Sequence, residues 1–334
     1  MNLFKKVIKV LVIAFLASIV IFCTLPFILP VNQTQSQPGE LPFANSHFAT
    51  IQNVSIHYRV YNPVGDSVKG NILLIHGFSG STFSWRNNAD TLAANGYRVV
   101  SVDMPGFGFS DRAQGLNHAS GFNAGLFWQL LDSISTDSWI IAGHSMGAGP
   151  ALDMECLRPG KTKALIFVDG AFAFRRNIGT GGILAGFITS SVVKRWAEVL
   201  GRAYFFKTSK IEQLLRSAYS SSPDSVAVAG YLRPLMLKNT ASCILDLAES
   251  KETVIPEISQ VHVPVLAIWG KQDTWAPYNR WQKFLEKLPA LQTVLIDGAG
   301  HCPMETRSAQ FNSAVINFVD TVGIQPVTKP NFIN

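Results

Sequence analysis

Ser145 sits in Gly143-His144-Ser145-Met146-Gly147, a G-x-S-x-G pattern preceded by the apolar run WIIA and followed by a helix-forming segment. At a strand-to-helix junction this pattern forces a sharp turn that exposes the serine at the sheet edge, and small flanking residues leave room for the backbone. A serine hydroxyl needs a base to become a nucleophile, and the base needs an acid to orient it. Asp273, in AIWGKQDTWAP, follows the strand-like run 265–269, and His301, in IDGAGHCPMET, follows the strand-like run 293–296. Both should reach the carboxyl edge of the sheet beside Ser145, where open α/β sheets bind ligands. The chemistry expected is acyl transfer, in which Ser145 attacks, His301 takes its proton and Asp273 holds the imidazole. The oxyanion needs preorganised donors. The backbone N–H groups of Phe78, in the loop directly after the strand 71–75, and of Met146 are assigned to it.

The remaining reactive side chains read as structural. His47, His57, His118 and His262 are scattered without ligand spacing, and His76 and His144 are expected to orient loops. Asp103 reads as a brace for the loop after the strand 97–102. Cys156, Cys243 and Cys302 are odd in number outside the N-terminal run, so they cannot all pair, and Cys302 is read as packing. No His/Cys/Asp cluster recurs at ligand spacing, so no metal is expected.

The elements that must carry these residues alternate. Segments 47–51 and 55–61 read as a hairpin around Gln52-Asn53. The run 71–75 (NILLI) has the continuous apolar character of a strand buried on both faces. Helical patterns at 83–94, 122–134 and 146–157 then alternate with strands at 97–102, 139–142 and 164–168. The alternation resumes with strand 265–269, helix 278–288, strand 293–296 and helix 305–322. This pattern predicts an α/β fold with a mostly parallel sheet flanked by helices. Residues 171–255 break it: they are helical in composition and rich in Phe172, Phe174, Phe187, Trp196, Tyr204, Phe205 and Phe206, which reads as a cap inserted over one end of the sheet.

Residues 10–30 carry no charge and follow Lys5, Lys6 and Lys9. As a helix they span about 31 Å, the thickness of a bilayer core. The lysines predict a cytoplasmic N-terminus and an extracytoplasmic catalytic domain. A cleaved signal peptide is the alternative, disfavoured by the length of the run and the lack of an A-x-A-like site. The expected organisation is an anchor at 1–31, a polar tether at 32–46, a core at 47–170 and 256–334, and a cap at 171–255. Asn32 and Asn53 lie in glycosylation sequons, a pattern common by chance.

Composition narrows the function classes. The 334 residues are 47% apolar and 15% charged, which excludes a disordered chain. The net charge of +6 is concentrated in the N-terminal lysines and in 171–255, where 11 Lys and Arg face 6 Asp and Glu. No basic run with interleaved aromatics occurs, so nucleic acid is not an expected partner.

Together HGFSGSTFSW (76–85), DMPGFGFSD (103–111), GHSMG (143–147), the Asp273 loop and GAGH (298–301) give a chain that resembles cap-bearing α/β-hydrolase-fold serine hydrolases such as monoacylglycerol lipases and carboxylesterases. The resemblance covers 71 to about 320 and implies a lipase or esterase mechanism without cofactor or metal. Some such relatives place the acid where Asp169 stands here, so Asp169 is the rival of Asp273. Gly-Ala-Gly at 147–149 replaces the Gly-Gly of many relatives. A serine nucleophile argues against the dehalogenase and epoxide hydrolase members, which use aspartate. The expected function is membrane-anchored hydrolysis of lipophilic carboxylic esters. The alternatives are carbon–carbon bond hydrolysis or cofactor-free peroxidation on the same triad, and a non-catalytic binding module. Arg175, Arg176, Lys194 and Arg195 are expected to face anionic lipid headgroups.

Overall fold

The computed structural model describes residues 2–31, 41–65, 67–113, 115–172, 190–249 and 258–324. An eight-stranded sheet forms its centre: β1 (Ser46–Ile51), β2 (Val54–Tyr61), β3 (Gly70–Ile75), β4 (Tyr97–Val102), β5 (Trp139–His144), β6 (Thr162–Val168), β7 (Val265–Gly270) and β8 (Leu291–Ile296). The strand order is β1-β2-β4-β3-β5-β6-β7-β8. β1 and β2 are antiparallel, as are β2 and β4, and every other pair is parallel. Gln52 and Asn53 turn the hairpin at φ +49° and +63°. The chain steps from β3 outward to β4 and then returns to place β5 on the other side of β3. This reversal opens a crevice at the carboxyl ends of β3 and β5, the place where such sheets bind ligands.

The apolar runs of the central strands bury both faces. Ile72 and Leu74 of β3 point to one side, against α2 (Ala89–Ala94) and α11 (Ser308–Ile324). Leu73 and Ile75 point to the other, against α3 (Ser120–Ile134), α4 (Ala148–Leu157) and α9 (Tyr278–Leu285). This period-2 division recurs in β5, β6 and β7, as two covered faces require.

Two expected helices are broken. The segment 83–94 begins as a 3₁₀ turn (Thr82–Trp85) and becomes α-helical only at Ala89. Between them Asn88 is buried and gives its side-chain amide to Met304 O and Asn312 Oδ1, both at 2.9 Å, so tertiary bonds override the local periodicity. The segment 305–322 is divided into α10 (Pro303–Thr306) and α11 at Arg307, whose φ of −135° leaves the helical region.

Between β6 and β7 lie α5 (Ser191–Leu200), a π turn (Gly201–Phe205), α6 (Thr208–Tyr219), α7 (Ser225–Leu235) and α8 (Thr240–Glu249). α1 (Asn2–Ile28) is the N-terminal helix, apolar over Phe4–Ile28 and long enough to cross a membrane. Its far end rests on α5. Trp196 Nε1 donates to Phe22 O at 2.9 Å and its ring stacks on Phe22. Arg195 donates to Pro26 O at 2.9 Å and to Leu29 O at 3.1 Å.

These bonds correct the headgroup expectation. Arg195 satisfies carbonyls at the end of α1, and Lys194 is paired with Asp246 of α8 in a largely buried ion pair. Lys194, largely buried in that pair, does not face lipid, while Arg195 keeps partial exposure beside the end of α1. Arg175 and Arg176 lie outside the described residues, as do Phe174, Phe187 and 32–40 of the tether.

Candidate active site

β5 ends at His144, and a 3₁₀ turn (Ser145–Gly147) leads into α4. Ser145 takes φ +49° there, a backbone conformation that costs an L-residue energy and persists only where its surroundings enforce it. The flanking glycines do the enforcing. A Cβ on Gly143 would lie 2.3 Å from Gly147 O, and one on Gly147 would lie 2.5 Å from His76 O. The carbonyl of Ser145 accepts from Ala171 N at 3.0 Å, which ties the turn to the chain leaving β6.

The loops after β7 and β8 bring the partners. His301 Nε2 and Ser145 Oγ are 2.9 Å apart, and His301 Nδ1 is 2.9 Å from Asp273 Oδ2. The other carboxylate oxygen of Asp273 accepts from Trp275 N at 2.7 Å and Ala276 N at 3.1 Å. Burial opposes the charge on Asp273, but the His301 hydrogen bond and charge and the two amides outweigh it and hold the carboxyl below its ordinary value. The carboxylate is therefore ionised and committed to the imidazole. All three groups are buried, Ser145 retaining 8% of its exposure.

Gly77 passes directly against this turn, since a Cβ on it would sit 2.9 Å from Ser145 Cβ. The loop after β3 can therefore bring the Phe78 backbone beside that of Met146, the two amides assigned to the oxyanion. The Phe78 side chain is 41% exposed and edge-on to Phe107.

Burial lowers the pKa of both supporting histidines. Burial lowers the His76 ring, which accepts from Met104 N at 3.0 Å and donates to Gly77 O at 2.7 Å. Burial, aided by the neighbouring His301, pushes His144 down to about 3. It donates to His301 O at 2.8 Å and so fixes the base from behind. Asp103 braces its loop as expected. It accepts from Thr82 N at 2.6 Å, Phe109 N at 2.7 Å and the buried His57 Nδ1 at 2.6 Å. Burial raises Cys302 well above an ordinary thiol, and the four cysteines are unpaired.

Some supporting residues carry no mark in the sequence. His301 N donates to Ala218 O of α6 at 2.6 Å, so a helix between β6 and β7 holds the base through its backbone. The Trp275 ring lies 5.4 Å from His301, and its Nε1 donates to Ser217 Oγ at 3.0 Å. Four residues after His301, Glu305 pairs with Arg86 and accepts from Tyr219 Oη at 2.6 Å and Tyr231 Oη at 2.5 Å. One carboxylate thus joins α6 and α7 to the core. Only the position of Trp275, two residues past Asp273, could have drawn notice.

Residues 70–308 match the family model described as the alpha/beta hydrolase fold, and the chain belongs to that family. A 2-hydroxy-6-oxononadienedioate/2-hydroxy-6-oxononatrienedioate hydrolase of Dechloromonas aromatica (strain RCB) is 25% identical over 83% of this chain and 96% of its own length. Among solved structures, a membrane phospholipase A described as a bacterial virulence factor superposes with a TM-score of 0.67 at 20% identity, covering 96% of this chain and all of the other. A lipase-like protein of Acinetobacter baumannii AYE gives a TM-score of 0.65 at 21% identity over 83% of this chain and 91% of its own. At these identities the structural likeness speaks for the fold.

Proposed function

We propose that this chain is a serine hydrolase of lipophilic carboxylic esters, held at a membrane by α1. The observation that carries the reading is the relay of two 2.9 Å contacts joining Ser145, His301 and Asp273 at the carboxyl edge of the sheet. In the proposed mechanism His301 Nε2 takes the Ser145 proton as Oγ attacks the ester carbonyl. The negative oxygen is received by the N–H groups of Phe78 and Met146. Collapse expels the alcohol, which leaves with the proton from His301. Water then attacks the acyl-enzyme, giving its proton to the same imidazole, and collapse breaks the bond to Ser145 Oγ, which takes that proton back from His301 as the acid departs.

Membrane attachment is supported by the length of α1 and by its seating on α5 through Arg195 and Trp196, contacts that a discarded leader would not need. The proposed organisation is an anchor at 1–31, a tether at 32–46, a core at 47–170 and 256–334 and a cap at 171–255, with the N-terminus on the cytoplasmic side. An anchor brings the site to lipid, which favours acyl esters of low solubility as substrates.

Carbon–carbon bond hydrolysis is the second reading, favoured by the hydrolase activity for which the Dechloromonas aromatica relative is named. A dienedioate carries two carboxylates that need cationic or amide partners. Of the arginines at the seam between core and cap, Arg86 is engaged by Glu305, and Arg112 by the carbonyls of Gly108, Ser110 and Pro234. Among the described residues, the Arg86 guanidinium is thus already neutralised by a carboxylate, which favours an uncharged acyl ester.

Hydrolysis of p-nitrophenyl esters from acetate to palmitate tests the reading. Activity rising with chain length and absent from Ser145→Ala supports it. Inert esters, together with cleavage of a vinylogous diketo acid, would replace it with the second reading.

A further inference from the structure

Asp169 is the buried acidic group beside the relay that the mechanism leaves unused. It follows β6, holds φ +43° and is fully shielded from water. One of its oxygens accepts from Gly270 N at 3.0 Å. Its Oδ2 meets no donor. A carboxylate oxygen of Asp169 lies within 4.8 Å of both Asp273 and His301. The ionisable groups around it are Asp273 and His301, with the Cys302 thiol behind, and none is a permanent cation.

Two ionised carboxylates side by side in a dry pocket, with one imidazole between them, would repel with nothing to offset the desolvation. Asp273 already holds the imidazole and two amides, so its negative charge is fixed. The proton must therefore reside on the other acid. Burial, then the Asp273 charge, raises Asp169 well above the ordinary carboxyl range, and one of its carboxylate oxygens lies within 4.8 Å of Asp273.

We propose that Asp169 is a positioning residue: a neutral carboxylic acid that donates its proton to the Asp273 carboxylate and fixes that group for His301. The inference rests on the triad reading above. A neutral donor withdraws negative charge from Asp273, which moderates the hold of Asp273 on protonated His301. An ionised Asp169 would strengthen that hold. The two states thus give opposite signs on substitution.

The experiment follows the pH dependence of kcat/KM on a soluble ester, together with ¹⁵N NMR of the His301 ring, in the full chain in detergent micelles. Asp169→Asn keeps an N–H donor toward Asp273, tolerates positive φ and carries no charge. Asp169→Gly removes the side chain without backbone strain. The neutral-donor state predicts that the acid limb stays in place in Asp169→Asn and moves to higher pH in Asp169→Gly. It also predicts that kcat falls about tenfold to a hundredfold in Asp169→Gly, with KM little changed, as for a reacting group slightly displaced. A limb moving to lower pH in Asp169→Asn overturns the proposal in favour of an ionised second acid. A limb unmoved in Asp169→Gly also overturns it, because Asp169 then has no coupling to the relay. Ester hydrolysis that survives Ser145→Ala would instead overturn the triad reading, while the ring titration still reports on Asp169.

Discussion

The electrostatics of the relay rest on one ionised carboxylate, Asp273, held below its ordinary value by His301 and two backbone amides. Asp273→Asn keeps the shape but offers an amide that cannot restrain the imidazole in the same tautomer. It should lower kcat by about 10⁴, as loss of the orienting acid does in such triads, with burst kinetics as the check. A second residue governs stability and not turnover. Glu155 of α4 is buried, accepting weakly from His262 N at 3.4 Å, and burial raises its carboxyl from 4.5 to about 7. Between those values the folded chain keeps a proton that the unfolded chain has lost, so stability falls as pH rises through this window. Glu155→Gln removes that fall, and the Tm difference between the two proteins should grow steadily from pH 4.5 to about 7.

At the scale of elements, two seams matter. The first joins α6 and α7 to the core through Glu305, whose side chain is 1% exposed while its partner Arg86 is 19% exposed. Arg86→Met leaves a buried carboxylate with only its two tyrosine donors. The expected loss is about 3 kcal/mol, the low end for breaking a buried pair, measured by urea denaturation. The second seam joins α1 to α5. Hydrogen bonds to a guanidinium contribute roughly 1.5–3 kcal/mol, so Arg195→Ala should raise amide exchange across α5 about tenfold. Unchanged exchange would mean that α1 and α5 touch without holding each other.

At the scale of the whole molecule, a helical layer is pinned to a two-faced hydrolase core by backbone and carboxylate bonds, and a long apolar helix rests on that layer through α5. If α1 anchors the chain as proposed, lipids are the nearest source of substrate for the proposed ester chemistry. The full chain should resist high-pH carbonate and yield only to detergent, whereas a chain starting at Leu41 should fractionate as a soluble protein that still cleaves short esters. Release of the full chain by carbonate would detach the function from the membrane.

The period-2 runs of the strands, the G-x-S-x-G turn and the chain order Ser145, Asp273, His301 were legible in the sequence. Each is a local pattern with a local physical cause: alternation of faces, steric room beside a strained serine, and strand ends that open on one edge. The sequence also marked Asp169 as the alternative to Asp273 without separating their roles. That separation needs distances, because two carboxylates compete for one imidazole and one proton through space. The break of the helix at 83–94, the backbone grip of Ala218 on His301, the Glu305 junction and the capture of Arg195 by α1 were likewise decided only by tertiary structure. Each joins groups far apart in the chain, and no local pattern records which buried charge or amide will meet which partner.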